Sequence, residues 1–349
     1  MTVPASHGGA VSIHPLHGIP EITAGDDLGQ VIRGALGRAG LSLADGDVLA
    51  VSSKIISKAQ GLRTTDDDRS AAVLRESQRV VVERRTPTGT TRIVHTLAGP
   101  VMAGAGIDGS NTGPDGTLLL LPQDPDLAAR QVYADLLRAH APHPLPRLGI
   151  VVTDTAGRPW RAGQTDFALG ACAVAVVEDL RGGRDGDGRP LAVTTRAVAD
   201  EIAAAADLVK GKSSGVPVAL IRGLPEGTVT DPGAAGAQSL VRTGPDDWFG
   251  LGAVEAVRSA LGAHPGTAVA EEVGVPSALP EDPADRMVRA VRLALHGESA
   301  AVRVHPTPEG GLVVEAEDPF AAGRVCARLE VALAAESLPE ADVTWRARP

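Results

Sequence analysis

Four short stretches gather side chains that could do chemistry. In Gly104-Ala-Gly-Ile-Asp108-Gly-Ser-Asn111-Thr-Gly, a carboxylate and an amide oxygen sit among turn-formers. Both are hard donors suited to Mg²⁺ or Mn²⁺, although an ordinary Asx-rich turn would look the same. Gly104, Gly106 and Gly109 match the dinucleotide pattern GxGxxG literally, but Ser110 to Pro114 follow where a helix should open, which argues against it. Asp154-Thr155 closes the apolar run LGIVVTDT, and a carboxylate leaving a buried strand is well placed to meet a ligand. Arg158, Trp160 and Arg161 follow at once, and their guanidinium groups suit an anionic substrate. In Leu208-Val-Lys210-Gly-Lys212-Ser-Ser-Gly215, Ala206 stands where a P-loop needs its first glycine, and the segment follows a helix, so Walker A is rejected. Its lysines, serines and glycines can still wrap phosphate oxygens, or merely neutralise a helix C-terminus. Ser52-Ser53-Lys54-Ile-Ile-Ser57-Lys58 repeats the theme beside another strand end, with a charged surface turn as the plain alternative.

Acids for a divalent cation, lysines and glycines for a polyphosphate, and arginines for a carboxylate together suit phosphoryl transfer, where catalysis is mainly positioning and charge neutralisation. The chain has no HExxH, no GxSxG elbow and no zinc-spaced Cys/His set, and its nine histidines are scattered. Cys172 and Cys326 form no CxxC pair or disulfide framework.

The elements that must position these stretches alternate between strand and helix. Residues 47–53, 148–155 and 216–223 are apolar runs expected as buried strands, and 91–106 as strand segments. A charged helix is expected over 67–84, an Asp-capped amphipathic helix over 124–140, and a helix over 194–212 capped by Thr194 or Thr195. Residues 165–179 fit helix or strand. Residues 265–283 have a linker's composition. Beyond them the pattern is helix, strand (300–306), turn at Gly310-Gly311, strand (312–317), helix (319–335) and strand (341–347), a small α+β module.

At 349 residues the chain has room for two domains, and its net charge of −10 with only seven aromatics argues against general nucleic-acid binding. No stretch of about 18 apolar residues is present, and the N-terminus lacks a secretory pattern, so a cytoplasmic protein is expected.

The stretches GIPEITAGDDL (18–28), DGDVLAVSSKIISKAQG (45–61), AGIDGSNTG (105–113), LLLLPQDPD (118–126), IVVTDTAGRPWRAGQTDFALG (150–170) and VADEIAAAADLVKGKSSGVPVALIRG (198–223) strongly resemble, in order, the coenzyme F420-0:L-glutamate ligase (F420 γ-glutamyl ligase) family. The resemblance implies an unusual α+β fold forming an intertwined homodimer. It also implies a cytoplasmic enzyme that joins L-glutamate to coenzyme F420-0 with GTP, through an acyl phosphate. It places Ile19, Pro20, Glu21, Ile22, Ser53, Lys58, Asn111 and the run Leu208, Val209, Lys210, Gly211, Lys212, Ser213, Ser214 and Gly215 at the nucleotide. Asp108, Asp154 and Thr155 would ligate a two-metal site for Mg²⁺ or Mn²⁺, with K⁺ a further candidate cation. Asp108, Asp154 and Lys58 would carry catalysis, and Arg158 or Arg161 would hold a substrate carboxylate. The ligase domain is expected over 1–255, a linker over 256–283 and the small module over 284–349. That module is too short for the FMN-dependent nitroreductase-like domain of some relatives, so no FMN is expected. His95-Thr-Leu97-Ala-Gly99 stands where the family usually reads like ETRHG. A related ligase using another amino acid or acceptor, and a GTP-binding regulator with weakened catalysis, remain as alternatives.

Overall fold

Strands that are apolar on both faces need cover on both sides, and the structure supplies it. The computed structural model describes residues 9–64, 68–109, 117–299, 301–308, 310–338 and 341–348. Two units emerge from the contact pattern, one formed by 1–67, 96–102 and 106–242, the other by 68–95, 103–105 and 243–349. In the first, the elements that matter are β1 (Ser12–Pro15), α1 (Leu28–Arg38), β2 (Val48–Ser52), α2 (Ser53–Ala59), α3 (Pro125–His140), β3 (Gly149–Arg158), β4 (Arg161–Cys172), α4 (Val198–Lys210) and β5 (Val218–Arg222). They build a five-stranded sheet in the order β1-β5-β2-β3-β4. The pair β2–β3 is parallel and the other pairings are antiparallel.

Side-chain alternation divides the core. Leu49, Val51, Ile150 and Val152 face α1 and α3, whereas Val48, Ala50, Val151 and Ala219 face the alanine stripe Ala199, Ala203 and Ala206 of α4. Close approach is enforced at Gly170, where a Cβ would lie 2.2 Å from the carbonyl oxygen of Pro125 at the start of α3. The same corner is pinned by Asp126, whose Oδ1 accepts the N–H groups of Ala171 and Ala237 at 2.8 Å each, while Oδ2 accepts that of Gln238 at 3.2 Å.

The second unit holds a short helix (Arg69–Arg75), the strands Ser77–Thr86 and Gly89–Thr96, and then helices and a small sheet. The expected helix over 67–84 is corrected here: it stops at Arg75, because Val80-Val-Val82 are β-branched and favour a strand. The expected linker 256–283 carries the helix Ala268–Val273 and most of the helix Ala253–Ala260, with Arg258, Ala270 and Val273 buried. Residues 68–95 group with this part of the chain because Arg85 pairs with the backbone around Ser277 and Arg92 bonds Glu83 and Glu271 at 3.2 and 2.7 Å. The contact pattern thus divides the chain differently from a boundary at 255. The helix Pro283–Leu295, strands Arg303–Pro306 and Leu312–Ala316, helix Pro319–Ala335 and strand Val343–Ala347 follow the sequence pattern closely. Among the described residues no helix is long and apolar enough to cross a membrane.

Candidate active site

The parallel pairing of β2 with β3 sets the site. Their register places Ser52 beside Thr153, so both chains leave the sheet at the same level and the next residues, Ser53 and Asp154, meet. The Ser53 hydroxyl donates to Asp154 Oδ1 at 3.2 Å. Burial pushes the Asp154 carboxyl up to about 6, with Asp166 and Asp108 adding to the rise, against hydrogen bonds from the Thr155 backbone and Ser53. From α2, which starts directly at Ser53, Lys54 Nζ reaches Asp108 Oδ2 at 2.6 Å and the buried Lys58 Nζ reaches Glu21 Oε1 at 2.6 Å. Asp108 is carried on a short bridge to Leu119, with backbone bonds of 3.1 and 2.9 Å. Gly106 permits the turn before it: its φ is +67°, and a Cβ would lie 2.4 Å from Leu121 Cδ1.

The opposite wall comes from β4 and α4. Asp166 faces Thr155 across the β3–β4 ladder and accepts its hydroxyl at 2.7 Å. Lys210, in the last turn of α4, bonds the other Asp166 oxygen at 2.6 Å and donates to Thr153 Oγ1. Gly211, at φ +59°, ends the helix and turns the loop 211–215 along the opening. Desolvation first, then Asp166, raises the Asp207 carboxyl, with Lys210 and Lys212 opposing.

These elements enclose a cleft of about 350 Å³ lined by Ile19 to Ile22, Lys54, Lys58, Asp154, Thr155, Asp166, Lys210 to Ser213 and Gly215. Most of the residues singled out in the sequence therefore converge. Ser53 acts on the cleft through Asp154, and Asp108 through Lys54. Ser214 turns its hydroxyl back onto the Lys210 carbonyl. Four others are not brought together with the cleft. Leu208 is 84% exposed and Val209 packs into the α4 core, because a helix cannot turn four consecutive side chains to one face. Arg158 and Arg161 are exposed, paired with each other across the far end of the β3–β4 hairpin. Asn111 lies outside the described residues.

The donor set suits a hard divalent cation. Among the described residues no three His, Cys, Asp or Glu side chains converge as a ready-made cage. Mg²⁺ rarely uses one: it keeps several waters and takes one or two carboxylates beside substrate phosphates. Asp108, Asp154 and Thr155 offer that kind of partial shell, and the Asp154 carboxyl, raised mainly by burial and further by Asp166 and Asp108, is one whose ionised form a cation would stabilise.

The family described as F420-0:Gamma-glutamyl ligase matches residues 18–223. The chain belongs to this family. The coenzyme F420:L-glutamate ligase of Methanothermobacter thermautotrophicus is 36% identical over 253 residues, covering 66% of this chain and 96% of that protein. Its counterpart in Halobacterium salinarum is 38% identical over 226 residues, covering 59% and 84%, and that of Natronomonas pharaonis is 36% identical over 227 residues, covering 59% and 83%.

Within this member of the family the structure adds residues that side-chain type alone passed over. Asp166 lies inside a stretch that carries the resemblance but beside no glycine loop or strand end. Its signal is positional: once 161–172 is a strand antiparallel to TDT, Asp166 falls opposite Thr155. Lys54 belongs to a recognised cluster, and only its contact with Asp108 distinguishes it from its neighbours.

Proposed function

We propose that this protein joins L-glutamate to coenzyme F420-0 with GTP, by way of an acyl phosphate. The supporting observation is the convergence of Asp154, Thr155, Lys58, Lys212 and the 211–215 loop on one cleft, with Asp108 held at its edge by Lys54. A carboxylate alone does not acylate an amine, because oxide is too poor a leaving group. The terminal carboxylate oxygen of the acceptor therefore attacks the γ-phosphorus of GTP, the bond to the β-phosphate oxygen breaks, and GDP leaves. The amine of glutamate then attacks the acyl carbon, loses a proton, and expels inorganic phosphate as the amide forms.

Asp108, Asp154 and Thr155 would hold Mg²⁺ or Mn²⁺, which when bound shields the phosphate oxygens and polarises the γ-phosphoryl group. Lys58, restrained by Glu21, and the exposed Lys212 would add positive charge where phosphate charge grows. Lys210 contributes differently, since its ammonium is occupied by Asp166. Loop N–H groups around Gly211 and Gly215 suit phosphate oxygens. A homodimer in the cytoplasm belongs to the same reading.

The test mixes purified protein, GTP, Mn²⁺ and coenzyme F420-0, with and without L-glutamate, and measures product mass. Glutamate-dependent gain of one glutamyl residue, with GDP and phosphate released, is the expected result. GTP binding without turnover, or turnover only with another amino acid, would refute the assignment.

A further inference from the structure

Both oxygens of Asp166 are committed to side chains of the cleft. Oδ1 accepts the Thr155 hydroxyl at 2.7 Å, and Oδ2 accepts Lys210 Nζ at 2.6 Å. The side chains of Asp166 and Lys210 are each 5% exposed. Lys210 also donates to Thr153 Oγ1, one residue before Asp154. One carboxylate therefore ties β3, β4 and the last turn of α4 together directly behind the wall of the site.

The consequence lies in the direction of one proton. A threonine hydroxyl has a single O–H and two lone pairs. When the hydroxyl proton points at Asp166, the cleft-lining Thr155 oxygen can meet a ligand only with lone pairs. Without that acceptor the O–H is free to rotate into the cleft and present a donor where a cation needs an acceptor. Asp166 could not do this as a lone buried carboxylate, because an uncompensated charge there is costly. Lys210 supplies the opposite charge and holds the second oxygen, so the carboxylate does not swing round to become a ligand itself.

We propose that Asp166 is a positioning residue: it accepts the Thr155 hydrogen bond so that the hydroxyl offers only lone pairs to a divalent cation, with Lys210 as its fixed counter-charge. This rests on the reading of Asp108, Asp154 and Thr155 as the cation site. Partners of this kind, one step removed from the metal, typically affect its affinity about 10–100-fold.

The charge-neutral double substitution Asp166→Leu/Lys210→Met tests it. Apolar chains of similar volume commonly replace a buried ion pair without loss of stability. Mn²⁺ binding to the nucleotide-free full-length protein is followed by electron paramagnetic resonance of the free ion, with thermal unfolding measured in parallel. The expected result is Mn²⁺ binding weaker by about 10–100-fold at an unchanged or higher unfolding temperature. Thr155→Val should weaken binding as well, and the triple variant should be no weaker than Thr155→Val alone, since Asp166 acts through that hydroxyl. Asp166→Asn is the second variant, for use if the double one does not fold. Lys210 claims its one oxygen, the amide N–H then faces Thr155, and the hydroxyl proton must turn outward, with the same loss and the same non-additivity. Wild-type Mn²⁺ affinity in these variants, or losses that multiply with that of Thr155→Val, overturns the role of Asp166. Wild-type protein that binds no Mn²⁺ overturns instead the cation-site reading beneath it.

Discussion

Replacing Asp154 by Asn should make the metal-free protein more stable while removing its function. The Asp154 carboxyl is raised from 3.8 to about 6, with burial as the largest cause. That difference corresponds to about 3 kcal/mol at 1.36 kcal/mol per tenfold change in proton affinity. The residue keeps part of its surface in contact with water, so a realistic gain is about 1–2 kcal/mol. The sign follows from proton counting. Between pH 3.8 and about 6 the unfolded chain has released this proton and the folded protein still holds it. Stability therefore falls as pH rises through that window, and the cost is complete above it. Asparagine keeps an oxygen for the Ser53 hydroxyl and carries no charge to desolvate. In EDTA at pH 7.5 (a value chosen to lie above the window), Asp154→Asn should raise the unfolding temperature by about 2–8 °C. Below about pH 4 the difference from wild type should vanish. The same variant should lose Mn²⁺ binding and glutamate-dependent GTP turnover. A variant equal to or less stable than wild type at pH 7.5, or a difference that does not change with pH, would show that Asp154 is not held at an electrostatic disadvantage.

Other perturbations separate cleft from scaffold. Lys58→Met removes a buried ammonium that lines the same cleft as the 211–215 loop, and on the proposed reading loss of one charged hydrogen bond of about 1.5–3 kcal/mol should lower kcat/KM for GTP about 10–100-fold without altering the fold by circular dichroism. Asp126→Ala strands the buried backbone N–H groups of Ala171 and Ala237 and the half-buried one of Gln238 and should cost about 3 kcal/mol in chemical denaturation, and a loss below about 1 kcal/mol would contradict the pinning role. In the second unit, Glu336→Ala leaves Arg289 and Arg258 under-compensated in the interior and should cost about 3–5 kcal/mol. A wild-type denaturation midpoint in that variant would mean the network adds nothing.

Legibility in the sequence tracked how local each cause was. The runs 47–53 and 148–155 were readable as strands because both faces are buried, and the helix at 124–140 because Asp124 caps it and apolar positions recur. The 165–179 stretch could not be resolved locally: Arg161–Cys172 is a strand because β3 pairs with it. The Thr194/Thr195 cap failed for a similar reason. Thr195 is drawn into a pairing with Asp179, and α4 begins only at Val198, behind Ala197, which has no side-chain oxygen to cap it. Residues of the cleft were visible where they stood at strand ends or in glycine turns. Asp166 and the Lys54–Asp108 pair depend on a register and on a contact between segments over fifty residues apart, which no local pattern encodes.

The charges of the cleft also predict that a divalent cation and a triphosphate would favour each other's binding. Lys54, Lys58 and Lys210 are already held by Asp108, Glu21 and Asp166, so a bare triphosphate would meet lysines whose charge is largely cancelled and carboxylates that repel it. Asp154 and Asp207 are both raised, by burial first and by Asp166 as well, so further negative charge is unfavourable there. A divalent cation held by the carboxylates would offset their charge and free Lys54 from Asp108 to face a nucleotide. GTP and Mn²⁺ should thus bind with positive coupling of about 1–3 kcal/mol, or about 5–150-fold. Calorimetric titration of GTP in EDTA and in saturating Mn²⁺ measures it directly, and the coupling should survive moderate salt because the pairs are partly buried. Equal GTP affinity in the two titrations would mean that the lysines are available without the cation, and that the ion pairs seen at the cleft do not govern nucleotide entry.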